Sequence, residues 1–190
     1  MNYSILKNKS NKKQGFSLIE IILALSVTIG ILIAAFVLYN KVYYGTKDQR
    51  EQRNIVDLKN NIISFYEDQP DYENINIQDM YKAGLLNYKL DSDGDVQNEY
   101  GGIIKIEGSN AGAGTNQYGL FEISFSTVPA ESCQKIISNI APLFYKIEVY
   151  NRNGDGGEVK LSSDENGKIN VTNLSNYCNG DKNKILFYGY

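Results

Sequence analysis

The feature that most limits the fold is an uninterrupted apolar run, residues 21–39, which reads "IILALSVTIGILIAAFVLY". These 19 residues carry no charge, and a helix of about 20 apolar residues spans the hydrocarbon core of a bilayer. The core of a secretory signal peptide is shorter, roughly 7–15 residues, and a small-residue cleavage site follows it. Here the pair Asn40-Lys41 follows instead. The run is therefore predicted to be a membrane-spanning helix.

Charge predicts the orientation of this helix. The first 15 residues contain four lysines and no acid. Positive flanks stay in the cytoplasm, so the C-terminal part of the chain is expected on the other side. The whole chain has a net charge of −3 and the four lysines account for +4, so the residues after position 15 carry −7. This acidic balance argues against a nucleic-acid-binding surface.

Composition also argues against catalysis. The chain has no histidine, the commonest general base and a frequent metal ligand. No set of Ser, His and Asp, or of Cys and His, can therefore be assembled. The chain is not expected to be an enzyme or to hold a cofactor. A membrane-anchored enzyme or binding module is the alternative, and it predicts a cleft lined by acid–base or nucleophilic groups.

The helical pattern continues beyond the apolar run. The first proline is Pro70, and Ile55, Leu58 and Ile62 recur at the spacing of one helical face. Residues 46–54 are polar on all sides, which is typical of a solvent-bridging stretch. One helix is predicted from about residue 16 to about residue 68.

The remaining residues predict a compact α+β domain. Short segments with alternating apolar and polar residues indicate strands with one buried face, at 102–107, 119–126, 144–150, 157–161, 168–172 and 184–189. Two short helices are predicted between them. One lies near residues 76–84, and the other begins at Pro129 and ends at Pro142.

A glutamate stands just before the apolar run, in "KKQGFSLIE", residues 12–20. A charged side chain within a bilayer costs about 2.5 kcal/mol or more, which makes a functional reason for Glu20 the default hypothesis. The lysine pair, Gly15, Phe16 and Glu20, joined to the apolar run, resemble the type IV prepilin class. That class includes type IV pilins and the pseudopilins of type II secretion.

The resemblance implies a role for each of these residues. A prepilin peptidase on the cytoplasmic face would cut between Gly15 and Phe16, and the new N-terminal Phe16 would be N-methylated. Glu20 would act in assembly, where its carboxylate meets the Phe16 amine of a neighbouring subunit. The plainer alternative is a glutamate that snorkels at the membrane edge.

The resemblance also implies the pilin fold. Residues 1–15 would form a cytoplasmic leader peptide, and residues 16–40 the membrane-spanning and assembly helix. Residues 41–69 would continue that helix as an amphipathic segment packed on an antiparallel β-sheet. Residues 70–190 would form the globular α+β head.

Two cysteines, Cys133 and Cys178, lie beyond the predicted anchor, in a compartment where disulfides persist. One bridge between them is expected, and two separate buried thiols are the alternative. The segment "TVPAESCQKIISNIAPLFYKIEVYN", residues 127–151, resembles type IVb pilins of thin conjugative pili, in which a helical cysteine pairs with one near the C-terminus. The short leader and Phe16 are instead more similar to type IVa pilins or pseudopilins, so the subtype stays open.

One acidic cluster is a weak calcium candidate. The segment "DSDGDVQNE", residues 91–99, places Asp91, Asp93, Asp95 and Glu99 at alternating positions, and calcium binds such oxygen ligands. The positions of its glycine and glutamate do not fit an EF-hand, so a solvated turn is favoured. The segment "NRNGDGGE", residues 151–158, is a weaker case of the same kind.

These observations predict a structural subunit of a type IV pilus, with a role such as adhesion, conjugation or motility. Its expected partners are other copies of itself, the prepilin peptidase and an inner-membrane assembly platform. It would cross the inner membrane once, with its head in the periplasm or outside, and then become part of an extracellular pilus. The alternative is a pseudopilin of a type II secretion or DNA-uptake system.

Overall fold

The computed structural model describes residues 17–110, 118–161 and 167–190. The chain divides into two compact units, Met1–Val42 and Tyr43–Tyr190. Helix α1, Leu18–Tyr66, has 49 residues and contributes to both units. Within the described residues, the single long helix predicted from the sequence is confirmed.

The second unit contains three shorter helices and seven strands among its described residues. The helices are α2 (Ile77–Lys82), α3 (Ala130–Ile140) and α4 (Val171–Tyr177), with a 3-10 turn at Ala141–Leu143. The strands are β1 (Lys89–Leu90), β2 (Val96–Gln97), β3 (Ile104–Ser109), β4 (Leu120–Val128), β5 (Lys146–Tyr150), β6 (Gly156–Leu161) and β7 (Asn183–Gly189).

Strands β3 to β7 form one antiparallel sheet in the order β3-β4-β7-β5-β6. The last strand of the chain therefore lies at the centre of the sheet, and β1 and β2 form a separate hairpin. Side chains alternate between the two faces of a strand. On the inner face Phe125 lies opposite Ile104 and Ile185, and Ile185 lies opposite Val149. All four are buried in the same core.

Helices α1 and α3 cover this inner face. Ile55, Leu58 and Ile62 of α1 are at most 1% exposed, and they belong to one hydrophobic cluster with Ile136 and Ile137 of α3. The α+β architecture and the amphipathic face of α1 are as the sequence predicted. Helix α3 also begins directly after Pro129, as predicted, because proline fits the start of a helix.

One strand prediction was wrong. Residues 168–172 were predicted as a strand, but α4 begins at Val171. Asn170 caps this helix, since its side-chain oxygen accepts a hydrogen bond from the N–H of Asn173 at 3.0 Å. Val171 is 73% exposed, so the alternation in the sequence does not correspond to a buried face. Helical spacing instead buries Leu174 and Cys178 together.

Candidate assembly surfaces on the long helix

The first stretch of α1, residues 18–42, is apolar and uncovered. Every leucine, isoleucine, valine and phenylalanine in it is between 48% and 77% exposed. Among the described residues, α1 is the one helix long and apolar enough to cross a membrane. A helix that is hydrophobic all round is stable only in a large core or a membrane. This stretch therefore needs lipid or other protein chains around it.

Glu20 stands at the beginning of this stretch and caps its own helix. The Ser17 N–H donates a hydrogen bond to Glu20 Oε2 at 2.8 Å, and α1 begins at Leu18. This contact is one half of a capping box, in which a glutamate at the third helical position satisfies the N–H of the capping residue. Gly15 and Phe16, the predicted cleavage site, lie outside the described residues.

The second stretch of α1, residues 43–66, has a buried face that begins with polar side chains. Asp48 is 2% exposed, Glu51 1% and Asn54 7%. The prediction that residues 46–54 bridge through solvent was therefore wrong for these three. A count of apolar residues alone did not indicate their burial, because it treats charged and amide side chains as exposed.

Asp48 is the centre of a polar network that joins α1 to α3. Its Oδ1 accepts hydrogen bonds from the hydroxyls of Tyr100 and Ser132, both at 2.7 Å, and its Oδ2 pairs with Lys135 Nζ at 2.8 Å. Burial alone would raise the pKa of Asp48, but the hydrogen bonds from Lys135, Tyr100 and Ser132 hold it below its usual value. The buried Asp48 carboxylate is therefore ionised, and both of its oxygens have hydrogen-bonding partners.

Glu51 joins α1 to the segment that contains β1 and β2. Its Oε1 accepts a hydrogen bond from the Tyr88 hydroxyl at 3.0 Å, and its Oε2 accepts one from the Glu99 N–H at 2.8 Å. Burial raises the pKa of Glu51 to about 7, although these two hydrogen bonds act to lower it. The negative charge of Glu99 adds to the increase. Glu51 thus changes charge near neutral pH.

A disulfide fixes the position of α3. Cys133, on α3, is bonded to Cys178, at the end of α4, with 5.7 Å between their Cα atoms. Both side chains are buried, at 0% and 2% exposure, and the bond joins the two cysteines of the sequence. The predicted bridge is present, so the alternative of two separate thiols is wrong. Because Cys133 lies between Ser132 and Lys135 on α3, the bridge also holds the residues that bind Asp48.

The weak calcium candidate forms a tight turn between β1 and β2. Asp91 Oδ1 accepts hydrogen bonds from the N–H groups of Asp93 at 2.9 Å and Asp95 at 2.8 Å. Gly94 supplies the positive φ, +87°, that this turn requires. Glu99 is engaged elsewhere, since its carboxylate pairs with Arg50 at 3.3 Å. Among the described residues no group of three or more metal-ligating side chains occurs, and the solvated turn stays the favoured interpretation.

The weaker calcium candidate, residues 151–158, contains the same kind of turn, between β5 and β6. Asn151 Oδ1 accepts hydrogen bonds from the N–H groups of Asn153 at 2.9 Å and Asp155 at 3.0 Å. Gly154 has a φ of +86°. The shared pattern of Asp or Asn, then Gly-Asp, is thus a hairpin connection used twice.

Comparison with protein families assigns the chain. The family model described as PilS N terminal matches residues 46–189, which is more than half of the chain. The chain belongs to this family of type IV pilins. No curated protein matches this pilin significantly.

Solved structures of type IV pilins have the same fold. The type IVb pilin of Salmonella typhi matches with a TM-score of 0.54 and 20% sequence identity, over 75% of this pilin and 98% of that chain. TcpA, a type IV pilin from the El Tor biotype of Vibrio cholerae, matches with a TM-score of 0.57 and 14% identity, over 76% of this pilin and 99% of that chain. The predicted pilin fold, a long helix packed on an antiparallel sheet, is confirmed.

Family and fold set the class of function. The pilin is a structural filament subunit and not an enzyme, so its functional sites are surfaces that meet other copies of itself. The residues singled out in the sequence lie in separate places: Glu20 at the start of α1, Cys133 and Cys178 in the head, and Asp91 on a hairpin.

Sequence reasoning missed two features of the pilin, the capping role of Glu20 and the burial of Asp48 and Glu51, although the sequence carries a signal for each. "SLIE" at residues 17–20 fits the capping-box pattern. Asp48 and Glu51 precede Ile55, Leu58 and Ile62 at alternating steps of three and four residues, which places all five on one helical seam. Acids in line with an apolar seam predict a buried polar network.

Proposed function

We propose that this pilin is made as a precursor, cut between Gly15 and Phe16 by a prepilin peptidase, and polymerised through the first stretch of α1. Before assembly this stretch would anchor the subunit in the inner membrane, where an assembly platform would take it up. The observation that carries the proposal is the exposed apolar surface of residues 18–42 on a chain whose head has the pilin fold.

The apolar surface of residues 18–42 would be covered both in the membrane and in the filament. In the membrane, lipid covers the apolar side chains. In a filament, the corresponding stretches of neighbouring copies would replace the lipid, so little apolar surface would meet water at any stage. Repeated head-to-tail contacts that do not close into a ring produce an open helical filament. The hydrophobic stretch is thus both an anchor and a polymerisation surface.

Glu20 is proposed to guide entry into the filament. After cleavage Phe16 would carry a free amine, and the Glu20 carboxylate of a neighbouring subunit would pair with it. In the single chain Glu20 already accepts a hydrogen bond from the Ser17 N–H, so its charge is partly satisfied by the helix N-terminus. An ion pair in an apolar environment attracts strongly, although desolvation offsets much of the gain.

Processing is tested on filaments purified from the native host. Mass spectrometry is expected to find a subunit that begins at Phe16 and carries one N-terminal methyl group. Gly15→Ala is expected to slow cleavage less than Gly15→Leu, because a small residue is needed before the cut. An intact Met1 in a host with an active prepilin peptidase would contradict the proposal.

The role of Glu20 is tested with Glu20→Gln, which removes the charge and keeps the shape. The amide oxygen can still accept from Ser17, so processing, membrane insertion and the disulfide are expected to be unchanged. Filament yield is expected to fall at least tenfold, because no carboxylate attracts the Phe16 amine. The matched control is Glu131→Gln, an exposed acid on α3. Normal filament yield from Glu20→Gln subunits alone would leave Glu20 as a residue at the membrane edge.

Filament length separates the pilin proposal from the alternative. A pilus subunit is expected to form long extracellular filaments visible by electron microscopy. A pseudopilin would form only short fibres that serve a secretion or DNA-uptake apparatus. Short fibres at native expression would favour the second function without changing the expectations for Phe16 and Glu20.

A further inference from the structure

A groove lies on the surface of the second unit, between α1 and α3. It has a volume of about 480 Å³. Its lining includes both apolar and polar side chains, among them Gln52, Arg53, Val56, Asp57, Asn139 and Leu143. Leu143, from the 3-10 turn, is 42% exposed, so part of the apolar lining is open to solvent.

The groove offers hydrogen-bond donors whose partners are missing. Gln52 Oε1 accepts a hydrogen bond from Asn139 Nδ2 at 3.1 Å, but Gln52 Nε2 is buried and has no partner among the described residues. A buried donor without an acceptor destabilises the chain, because its hydrogen bond to water is lost and not replaced. Arg53 is exposed, and no ion pair between described residues includes it. An occupant that brings acceptors and negative charge would pair directly with Arg53, and would satisfy Gln52 Nε2 once that partly exposed side chain rotates toward the groove. The negative charge of Asp57 on the rim opposes such an occupant slightly.

The chain itself contains a segment with hydrogen-bond acceptors and negative charge. Residues 65–73, "FYEDQPDYE", contain four acids and no base, and we call them the acidic segment. Glu67, Asp68 and Glu73 are exposed, and none of them takes part in an ion pair between described residues. Phe65 is 55% exposed, so the segment also offers one aromatic ring.

We propose that the groove between α1 and α3 receives the acidic segment of the next subunit in the filament. The inference rests on the proposed function, because it names the head surfaces that meet when copies assemble. One carboxylate of the segment would pair with Arg53, another would accept from Gln52 Nε2 after rotation of the Gln52 side chain, and Phe65 would pack beside Leu143. The aspartates of the hairpin at residues 91–95 fit less well, because Asp91 is already bonded within its own turn.

A subunit does not fill its own groove. Residues 53 and 66 belong to the same helix, and at 1.5 Å per residue they are about 20 Å apart. The groove and the acidic segment are also different surfaces, so each copy would offer one to each of two neighbours. Such a contact, made head to tail, continues along an open array where the rotation between copies does not close it into a ring. The two separate surfaces are therefore compatible with a filament, and the covalent ladder described below distinguishes it from a closed dimer.

Charge reversal with rescue tests the proposal in cells that assemble the filament. Arg53→Glu alone, and the pair Glu67→Lys with Asp68→Lys, are each expected to lower filament yield at least fivefold. Combining all three changes restores the opposite charges and is expected to return most of the yield. The matched control is Lys105→Glu, an exposed lysine on β3 outside the groove. The amount of membrane-bound subunit and its intact disulfide show that each variant folds.

A cysteine pair supplies a second readout. Arg53→Cys with Asp68→Cys in one chain cannot close within a subunit, because a disulfide needs Cα atoms within about 7 Å. Oxidised filaments are expected to give a ladder of covalent multimers on non-reducing gels, and each single variant is expected to give none. A product that stops at the dimer would indicate a symmetric contact and would overturn the proposal.

The outcomes separate this inference from the proposed function. Wild-type filaments together with normal yield from Arg53→Glu would overturn the inference alone, as would a combined variant that assembles no better than its parts. Absence of filaments from the wild type in an assembling host would instead overturn the proposed function. An acidic partner other than a second copy would appear as normal assembly of Arg53→Glu without a ladder.

Discussion

The two stretches of α1 reverse the usual distribution of side chains. Residues 18–42 expose leucine, isoleucine and valine, whereas residues 43–66 bury two acids, Asp48 and Glu51, at 2% and 1% exposure. Both stretches belong to one uninterrupted helix. Helix formation alone therefore does not decide what is buried. The surroundings of each stretch do: the second stretch packs in the core of the head, whereas the apolar side chains of the first stretch are exposed.

The distribution of apolar residues around a helix indicates what surrounds that helix in the folded protein. A helix that packs on its own domain carries an apolar seam with polar residues elsewhere, and a helix meant for lipid or for other copies is apolar all round. Buried acids are stable on the second stretch because the head supplies hydrogen-bond donors that replace water. Tyr100, Ser132 and Lys135 bind Asp48, and Tyr88 binds Glu51. No such donors are needed where only hydrocarbon is buried.

The largest expected effect comes from one substitution made in both stretches. Leu58 is 1% exposed in the core and Leu32 is 64% exposed on the first stretch. Leu58→Ala is expected to lower the free energy of unfolding of the head by about 2–5 kcal/mol, because it leaves a cavity. Leu32→Ala is expected to change it by less than about 0.5 kcal/mol, as for exposed positions. Urea unfolding of the detergent-solubilised chain, followed by tyrosine fluorescence, measures both. Equal losses would mean that the two stretches have the same surroundings.

The sequence predicted the parts of the fold that rest on periodicity. The apolar run, the seam of Ile55, Leu58 and Ile62, and five of the six predicted strands follow from repeating patterns. The two-residue strands β1 and β2 were not predicted, because they are too short to show an alternation. The pairing order of the strands did not follow, because β7 enters the centre of the sheet through contacts distant in sequence. The start of α4 was missed because the cap formed by Asn170 outweighs a short alternation.

The candidate surfaces were only partly predictable, for a related reason. Glu20 stands out because a charge next to an apolar run is unusual. Asp48 and Glu51 lie in a stretch full of charges, so composition does not mark them. Their burial depends on donors 37 to 87 residues away in sequence, from Tyr88 to Lys135. The groove beside Arg53 needs α1 and α3 to be placed together, which no local pattern specifies.

An intermediate effect is expected from the titration of Glu51. Its pKa is raised from 4.5 to about 7 in the folded chain, so between these values the folded chain binds more protons than the unfolded chain. Stability therefore falls as the pH rises from about 4.5 to 7. At about 1.4 kcal/mol per pKa unit, Glu51 accounts for a loss of up to about 3 kcal/mol.

The variant Glu51→Gln isolates this contribution. Glutamine keeps the shape and can donate to the Tyr88 hydroxyl while it accepts from the Glu99 N–H. The variant is expected to be more stable than the wild type above pH 7 and to lack most of the decline between pH 4.5 and 7. Urea unfolding across that range measures the difference between the two chains. The control is Glu131→Gln, on the surface of α3. Parallel stability profiles for Glu51→Gln and the wild type would show that Glu51 is not buried as an acid.

The smallest effect is expected where an ion pair of the second stretch reaches the surface. Arg50 Nη1 lies 3.3 Å from Glu99 Oε2, and their side chains are 54% and 19% exposed. Exposed pairs contribute only about 0.2–1 kcal/mol, because water screens the attraction and both side chains lose freedom. Arg50→Ala is expected to cost no more than this, and less at 1 M salt, where the screening length is about 3 Å. Glu99→Ala also removes a negative charge beside Glu51, so only a double-mutant cycle with Arg50→Ala isolates the pair. A coupling above about 2 kcal/mol that does not change with salt would mean that the pair of Arg50 and Glu99 is buried. The covered face of α1 would then extend to Arg50.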